Sequence, residues 1–186
     1  MVGVLVSGSG TNLQALIDDG LPVAAVASNV AGVRALERAG RAGIPARVFR
    51  LEDHASREER DLAMAAWFEE RGVEVVVCAG YMHLLEPAFL TRFPGRVLNV
   101  HPSLLPAFPG THAVRDALAA GVAETGVTVH LVDEGMDTGP VLVQERVEVR
   151  PGDTEGPLLE RLHEVEHRLL PRATRELLAH GLDSRE

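Results

Sequence analysis

The chain contains no lysine: all 18 of its basic residues are arginine. That absence removes a Walker-type phosphate lysine, a Schiff-base lysine and a lysine general base from the available chemistry. One cysteine, Cys78, allows no internal disulfide. Its place in the apolar run Val75-Val76-Val77-Cys78-Ala79 predicts a buried thiol acting as a small hydrophobe. The basic residues are outnumbered by 27 acidic ones, for a formal charge of −9, and no basic stripe suited to a phosphate backbone is present. Nucleic acid is therefore not an expected partner. Neither is a membrane, because no apolar run approaches the roughly 18 residues of a span and no basic residue precedes Arg34 to make a signal-peptide n-region. A cytoplasmic location is expected. What is present is ordinary globular usage, 46% hydrophobic and 24% charged over 186 residues, which predicts one compact domain, 1–186.

Val-rich runs alternate with helical patterns. Strands are predicted at 2–6, 23–27, 46–49, 73–79 and 96–100, and helices at 11–19, 33–42, 56–71 and 86–91. Strands that read as continuously apolar, separated by helices, predict a doubly wound, mostly parallel α/β sheet covered on both faces. After His101 a Pro-rich loop leads to a helix at 112–120, strands at 126–132 and 141–149, and a last helix at 154–179 that Pro171 is expected to kink or divide.

Three polar elements stand out. Ser7-Gly8-Ser9-Gly10-Thr11-Asn12 lies between the first strand and first helix, where a glycine turn and a helix N-terminus favour an anion. Leu13 at the third glycine position, and Ser28-Asn29 in place of an acid after the second strand, speak against a dinucleotide. A plain small-residue turn with Thr11 as helix cap is the other reading. Asn99 and His101, two apart before Pro102, project from one face of a strand end, as a catalytic pair or as a hydrogen-bonded structural one. The rigid run from Pro102 to Gly110 follows, and Asp133-Glu134-Gly135-Met136-Asp137-Thr138-Gly139-Pro140 reads as a turn. Its Asp-Thr-Gly matches the aspartic protease triplet, but no second triplet exists and the chain is not all-β. No metal spacing is present; His163 and His167, four apart on the last helix, read as a solvated face.

Asn99-Val100-His101-Pro102-Ser103-Leu104-Leu105-Pro106, with Gly110 and Met136-Asp137-Thr138-Gly139-Pro140, resembles the folate-dependent formyltransferases. Within them, Ser7-Gly8-Ser9-Gly10-Thr11-Asn12-Leu13-Gln14 is similar to the phosphate loop of the glycinamide ribonucleotide formyltransferase family of purine synthesis. The resemblance implies a Rossmann-like formyltransferase fold, 10-formyltetrahydrofolate as co-substrate, no metal, small-molecule partners, and a monomer or homodimer. It implies a ribonucleotide phosphate-binding half at 1–100 and a folate-binding and catalytic half at 101–186. It implies Asn99, His101 and Asp137 as catalytic residues, with His101 protonated and donating; Thr128 and His130, two apart on one strand face, either support Asp137 or an ordered water or serve a purely structural role. Gly10, Thr11 and Asn12 would hold the phosphate, and Glu166 the amino end of the ribonucleotide. Arg57, Met82, His83, Leu84, Leu85 and Asn99 would contact the folate. His83 departs from the arginine often found there, and Tyr81 from a phenylalanine. A sugar-nucleotide formyltransferase, a formyltetrahydrofolate hydrolase and a silent phosphometabolite-binding module are the rival expectations.

Overall fold

The computed structural model describes residues 1–183, and side chains through residue 180. Seven strands form one sheet in the order β3-β2-β1-β4-β5-β6-β7. They are β1 (Val2–Val6), β2 (Val23–Ser28), β3 (Ala46–Val48), β4 (Val75–Cys78), β5 (Val97–His101), β6 (Glu124–Leu131) and β7 (Val141–Glu148). The first five are parallel, and the last two add antiparallel. The chain moves outward from β1 to β3, then returns to β4 on the other side of β1. That reversal opens a crevice beyond the carboxyl ends of β1 and β4, the place where open α/β sheets take ligands.

Six helices cover the sheet: α1 (Thr11–Asp18), α2 (Arg34–Arg41), α3 (Arg57–Glu69), α4 (Pro87–Leu90), α5 (Ala113–Ala120) and α6 (Glu155–Asp183). Alternation along each strand divides the core in two. Val2, Val4 and Val6 of β1 join Leu13 and Leu16 of α1 and Leu158, Leu162 and Leu170 of α6 on one face. Leu5 points the other way, into Met64, Trp67 and Phe68 of α3 and Phe89 of α4. A short 3₁₀ turn, Leu51–Asp53, went unpredicted.

The last helix differs from expectation. Pro171 lies within a continuous α6, although its ring nitrogen cannot donate to the carbonyl four residues back. Val165, Leu169, Leu170 and Ala173 are all buried, so packing on both sides of the proline holds the helix together. Thr11 is not the cap of α1; Gly10 occupies that position, in left-handed conformation at φ 74° and with no side-chain cap. No helix among the described residues is long and apolar enough to cross a membrane.

Candidate active site

The antiparallel join of β6 to β5 builds the centre of the site. Register sets Asn99 opposite His130 and His101 opposite Thr128, so four polar side chains share one face at the strand end. Asn99 Nδ2 lies 3.2 Å from His130 Nε2 and 3.5 Å from Asp137 Oδ1. His130 Nδ1 meets the Leu131 carbonyl at 2.9 Å, while its Nε2 faces Asn99 Nδ2 and Asp137 Oδ1.

Asp137 reaches this centre from the turn between β6 and β7. Asp133 Oδ1 accepts from Gly135 N and from Thr138 Oγ1, tightening the turn as its composition suggests. Asp137 itself is left-handed at φ 55°. Gly139 is required beside it, since a Cβ there would stand 1.8 Å from the Leu131 carbonyl oxygen. The Asp137 carboxylate accepts from Gly110 N at 2.9 Å, faces His101 Nδ1 at 3.4 Å and faces His130 Nε2 at 3.6 Å. Burial alone would raise its pKa, but the His130 contact, the Gly110 N–H and the two imidazoles outweigh that and lower it. Asp137 is thus a carboxylate at neutral pH.

His101, 4% exposed, has no free nitrogen: Nε2 bonds the Phe108 carbonyl at 2.8 Å while Nδ1 faces Asp137. Both ring nitrogens thus face acceptors, and the Pro-rich loop covers Nε2. Thr128 does not touch Asp137. Its hydroxyl donates to Ser103 O and accepts from Leu105 N and Gln144 Nε2, pinning the start of that same loop.

The donors and acids line a cleft of about 270 Å³ that also includes Gly80, Met82, His83, Leu84, Leu85, Val100, Pro102 and Met136. Leu85 is buried, whereas Met82 and Leu84 are 63% and 45% exposed, an apolar wall left open to solvent. Arg57 is not in this wall; it stands outside it, 3.9 Å from Glu86. Cys78, at the floor, behaves as predicted, its pKa pushed up to about 12 by burial and the Asp61 charge.

Through Gly80, Met82, Val100 and Pro102 the cleft adjoins a second cavity of about 340 Å³ around Ser7-Gly8-Ser9-Gly10-Thr11-Asn12. Glu166 closes that cavity from α6, its carboxylate accepting from Asn12 Nδ2 at 3.1 Å. It is therefore at the glycine-loop end of the two joined cavities. His163 lines the same cavity and stacks on His167, with ring centroids 6.0 Å apart, so this pair is not a solvated face. Burial raises the pKa of Glu166, opposed by the Asn12 hydrogen bond and the nearby His163. A carboxyl whose folded pKa exceeds its unfolded one favours folding when protonated and costs stability as pH rises above its ordinary 4.5. Glu166→Gln is expected to raise the melting temperature at pH 7 yet raise KM for a ligand of this cavity about ten-fold, the worth of one hydrogen bond to a charged group. Calorimetry and steady-state kinetics on the one variant check both signs.

Residues that sequence reading passed over hold the cleft wall from behind. Arg60 and Asp61 of α3 are both 0% exposed. Arg60 Nε and Nη2 donate to Asp61 Oδ1 at 2.9 and 2.7 Å, and Nη1 meets His83 Nδ1 at 2.6 Å. Asn29 and Ser7 complete the frame: Ser7 Oγ lies 2.6 Å from the Asn29 side-chain amide and accepts from Met82 N at 2.9 Å, and the same amide lies 3.5 Å from His83 Nε2. Burial and the guanidiniums of Arg60 and Arg57 lower the pKa of His83.

The chain is similar to known proteins along nearly its whole length. Phosphoribosylglycinamide formyltransferase of Mycobacterium tuberculosis is 50% identical over 96% of this chain and 85% of its own length. The trifunctional purine biosynthetic protein adenosine-3 of Drosophila pseudoobscura pseudoobscura is 47% identical over 97% of this chain, which spans 14% of that protein. The crystal structure of glycinamide ribonucleotide transformylase 1 from Symbiobacterium toebii superposes with a TM-score of 0.93 at 47% identity, covering 97% of this chain and 87% of that one. The model of the formyl transferase family matches residues 1–174, a span that contains β1 through β7, the glycine loop, Asn99, His101, Asp137 and Glu166. With this match over most of its length and the same fold in its solved relatives, the chain belongs to the formyl transferase family.

Proposed function

We propose that the protein transfers the formyl group from N10 of 10-formyltetrahydrofolate to the amine of glycinamide ribonucleotide, a step of purine synthesis. The observation that carries this reading is the join of two cavities across the ends of β4 and β5, one with a glycine loop suited to phosphate, the other with Asn99, His101 and Asp137 at its floor. The folate ring system takes the apolar wall of Met82, Leu84 and Leu85, with His83 and Asn99 at its polar edge. Arg57, outside the wall, suits the carboxylates of the folate tail. The ribonucleotide phosphate takes the backbone N–H groups of Gly10, Thr11 and Asn12 at the head of α1. Glu166, beside Asn12, accepts from the sugar hydroxyls, leaving the amine to reach the shared wall.

The amine nitrogen attacks the formyl carbon, and the carbonyl oxygen becomes an oxyanion. Asn99 Nδ2 turns from His130 to donate to that oxygen, a contribution of about 10²–10³ in rate for one fixed donor. Asp137 takes up, through solvent, the proton that the attacking nitrogen loses. His101 gives a proton to N10 as the carbon–nitrogen bond breaks, once the Phe108 carbonyl yields its place at Nε2. Asp137 facing Nδ1 offsets the charge of the imidazolium before that transfer. Protons taken and given balance over the cycle, leaving tetrahydrofolate and the formylated ribonucleotide.

A spectrophotometric assay of folate release tests the reading, run with glycinamide ribonucleotide, with a sugar-nucleotide amine and with no acceptor. Release only with glycinamide ribonucleotide is expected. Release without acceptor identifies a hydrolase, release with the sugar nucleotide identifies its formyltransferase, and saturable binding without turnover identifies a binding module.

A further inference from the structure

We infer that Arg60 is a positioning residue for the donor cleft, acting through the ring of His83. The inference rests on the donor assignment proposed above, but its geometry is independent of it. A guanidinium fully removed from solvent is destabilising unless its donors are met, and an apolar pair of similar volume would serve stability as well. The Arg60–Asp61 pair therefore calls for a reason beyond stability, and its contacts supply one.

Arg60 can only donate. At 2.6 Å from Nη1, His83 Nδ1 must accept, so the ring hydrogen sits on Nε2 and points to the Asn29 side-chain amide 3.5 Å away, whose oxygen takes that side. The other oxygen of Asp61, Oδ2, accepts from Glu86 N at 2.8 Å. One buried ion pair thus grips the cleft wall at two points, the His83 side chain and the Glu86 backbone. Leu84 and Leu85 lie between them and His83 lies at one end, all three lining the cleft. Arg60 itself does not line it. Tyr81, edge-on to His83 with centroids 5.9 Å apart, packs the ring from a further side. Met82, tied by its N–H to Ser7 Oγ, fixes the remaining end to the glycine loop. The shape and polarity of the donor wall accordingly depend on a helix residue that no donor can touch.

The test is a double-mutant cycle with both Michaelis constants measured: wild type, Arg60→Met, His83→Ala and the pair together. Arg60→Met is expected to raise KM for 10-formyltetrahydrofolate about ten-fold and KM for the ribonucleotide less than about two-fold, the loss of one charge-assisted hydrogen bond on one side of the site. In the His83→Ala background the same change is expected to add less than about two-fold, because the route through the ring is already gone. An equal rise in both constants, or the same factor in both backgrounds, overturns the inference in favour of a purely structural ion pair. Nitrogen NMR of the His83 ring in the wild-type protein needs neither a variant that folds nor turnover. The Nε2–H tautomer is expected, and Nδ1–H overturns the inference even if the protein formylates the proposed acceptor. An Nε2–H ring in a protein without formyl transfer would instead sink the proposed function and leave the Arg60–His83 contact standing.

Discussion

Replacing Asn99 or Asp137 by alanine is expected to lower kcat at least about 100-fold while the protein stays folded. For Asn99 the loss is that of the one amide donor at the floor of the cleft, an effect felt more in the transition state than in the ground state. For Asp137 two losses combine: the acceptor for the amine proton, and the charge facing Nδ1 of His101 at 3.4 Å. Folding should survive, since Asn99 is only half-buried and the Asp137 turn is also tied by Asp133. Asp137 contributes to stability with a definite sign as well. Its folded pKa lies below its ordinary 3.8, so its contacts add stability above that value, and the gain is lost as pH falls through the lowered one. Asp137→Asn is therefore expected to flatten the acid limb of the stability curve, measured by urea unfolding at a series of pH values. A near-wild-type kcat in either alanine variant removes that residue from the mechanism, and an unchanged acid limb removes the ionised network.

Gly10→Val is expected to cost about 3 kcal/mol of stability, combining a β-branched residue forced into left-handed backbone with overpacking against a neighbour. The neighbour is Ala35: a Cβ on Gly10 would stand 2.6 Å from both its Cα and its Cβ. The loop is already tied to α2 there, by the Ala35 N–H on the Gly8 carbonyl and by Arg38 Nε on the Ser9 carbonyl at 2.8 Å. Added bulk therefore does not plug the phosphate cavity, as the glycine pattern alone would suggest; it levers the loop off α2 and spreads the N–H groups that would meet phosphate. KM for the ribonucleotide should rise at least about ten-fold, and KM for the folate far less, because the wall joins the loop only at Met82 while Asp61 and Arg60 hold it at Glu86 and His83. Kinetics below the variant's melting temperature separate the two effects. Equal rises in both constants would count against a phosphate role for the loop.

The parallel half of the fold is legible because its strands are uniformly apolar and its helices periodic, and both signals are local. Asn99 and His101 are legible for the same reason, being two apart in one strand. His130 gains its role only from antiparallel register, which places it opposite Asn99 and which no local pattern encodes. The detour of Thr128 to the Ser103 carbonyl depends on where a loop falls, and the capture of His101 Nε2 by Phe108 on a residue at φ 49°. Arg60 and Asp61 were hidden inside a charged run, Arg57-Glu58-Glu59-Arg60-Asp61, that reads as an exposed first turn. One signal was available: Arg60 lies in step with Met64, Trp67 and Phe68, the buried stripe of α3. A charge in step with an apolar stripe is a candidate buried pair. His163 and His167 were read as solvated because helical spacing alone does not say which face the glycine loop covers.

The account is tested most directly by following the transferred carbon. With 10-formyltetrahydrofolate labelled with carbon-13 in the formyl group, carbon NMR reports where the label goes in wild-type protein and in Asp137→Ala. Label appearing as a formamide on glycinamide ribonucleotide, matched by tetrahydrofolate and slowed at least about 100-fold in the variant, is the expected result. Label released as free formate, or formamide formed equally fast without Asp137, would contradict it.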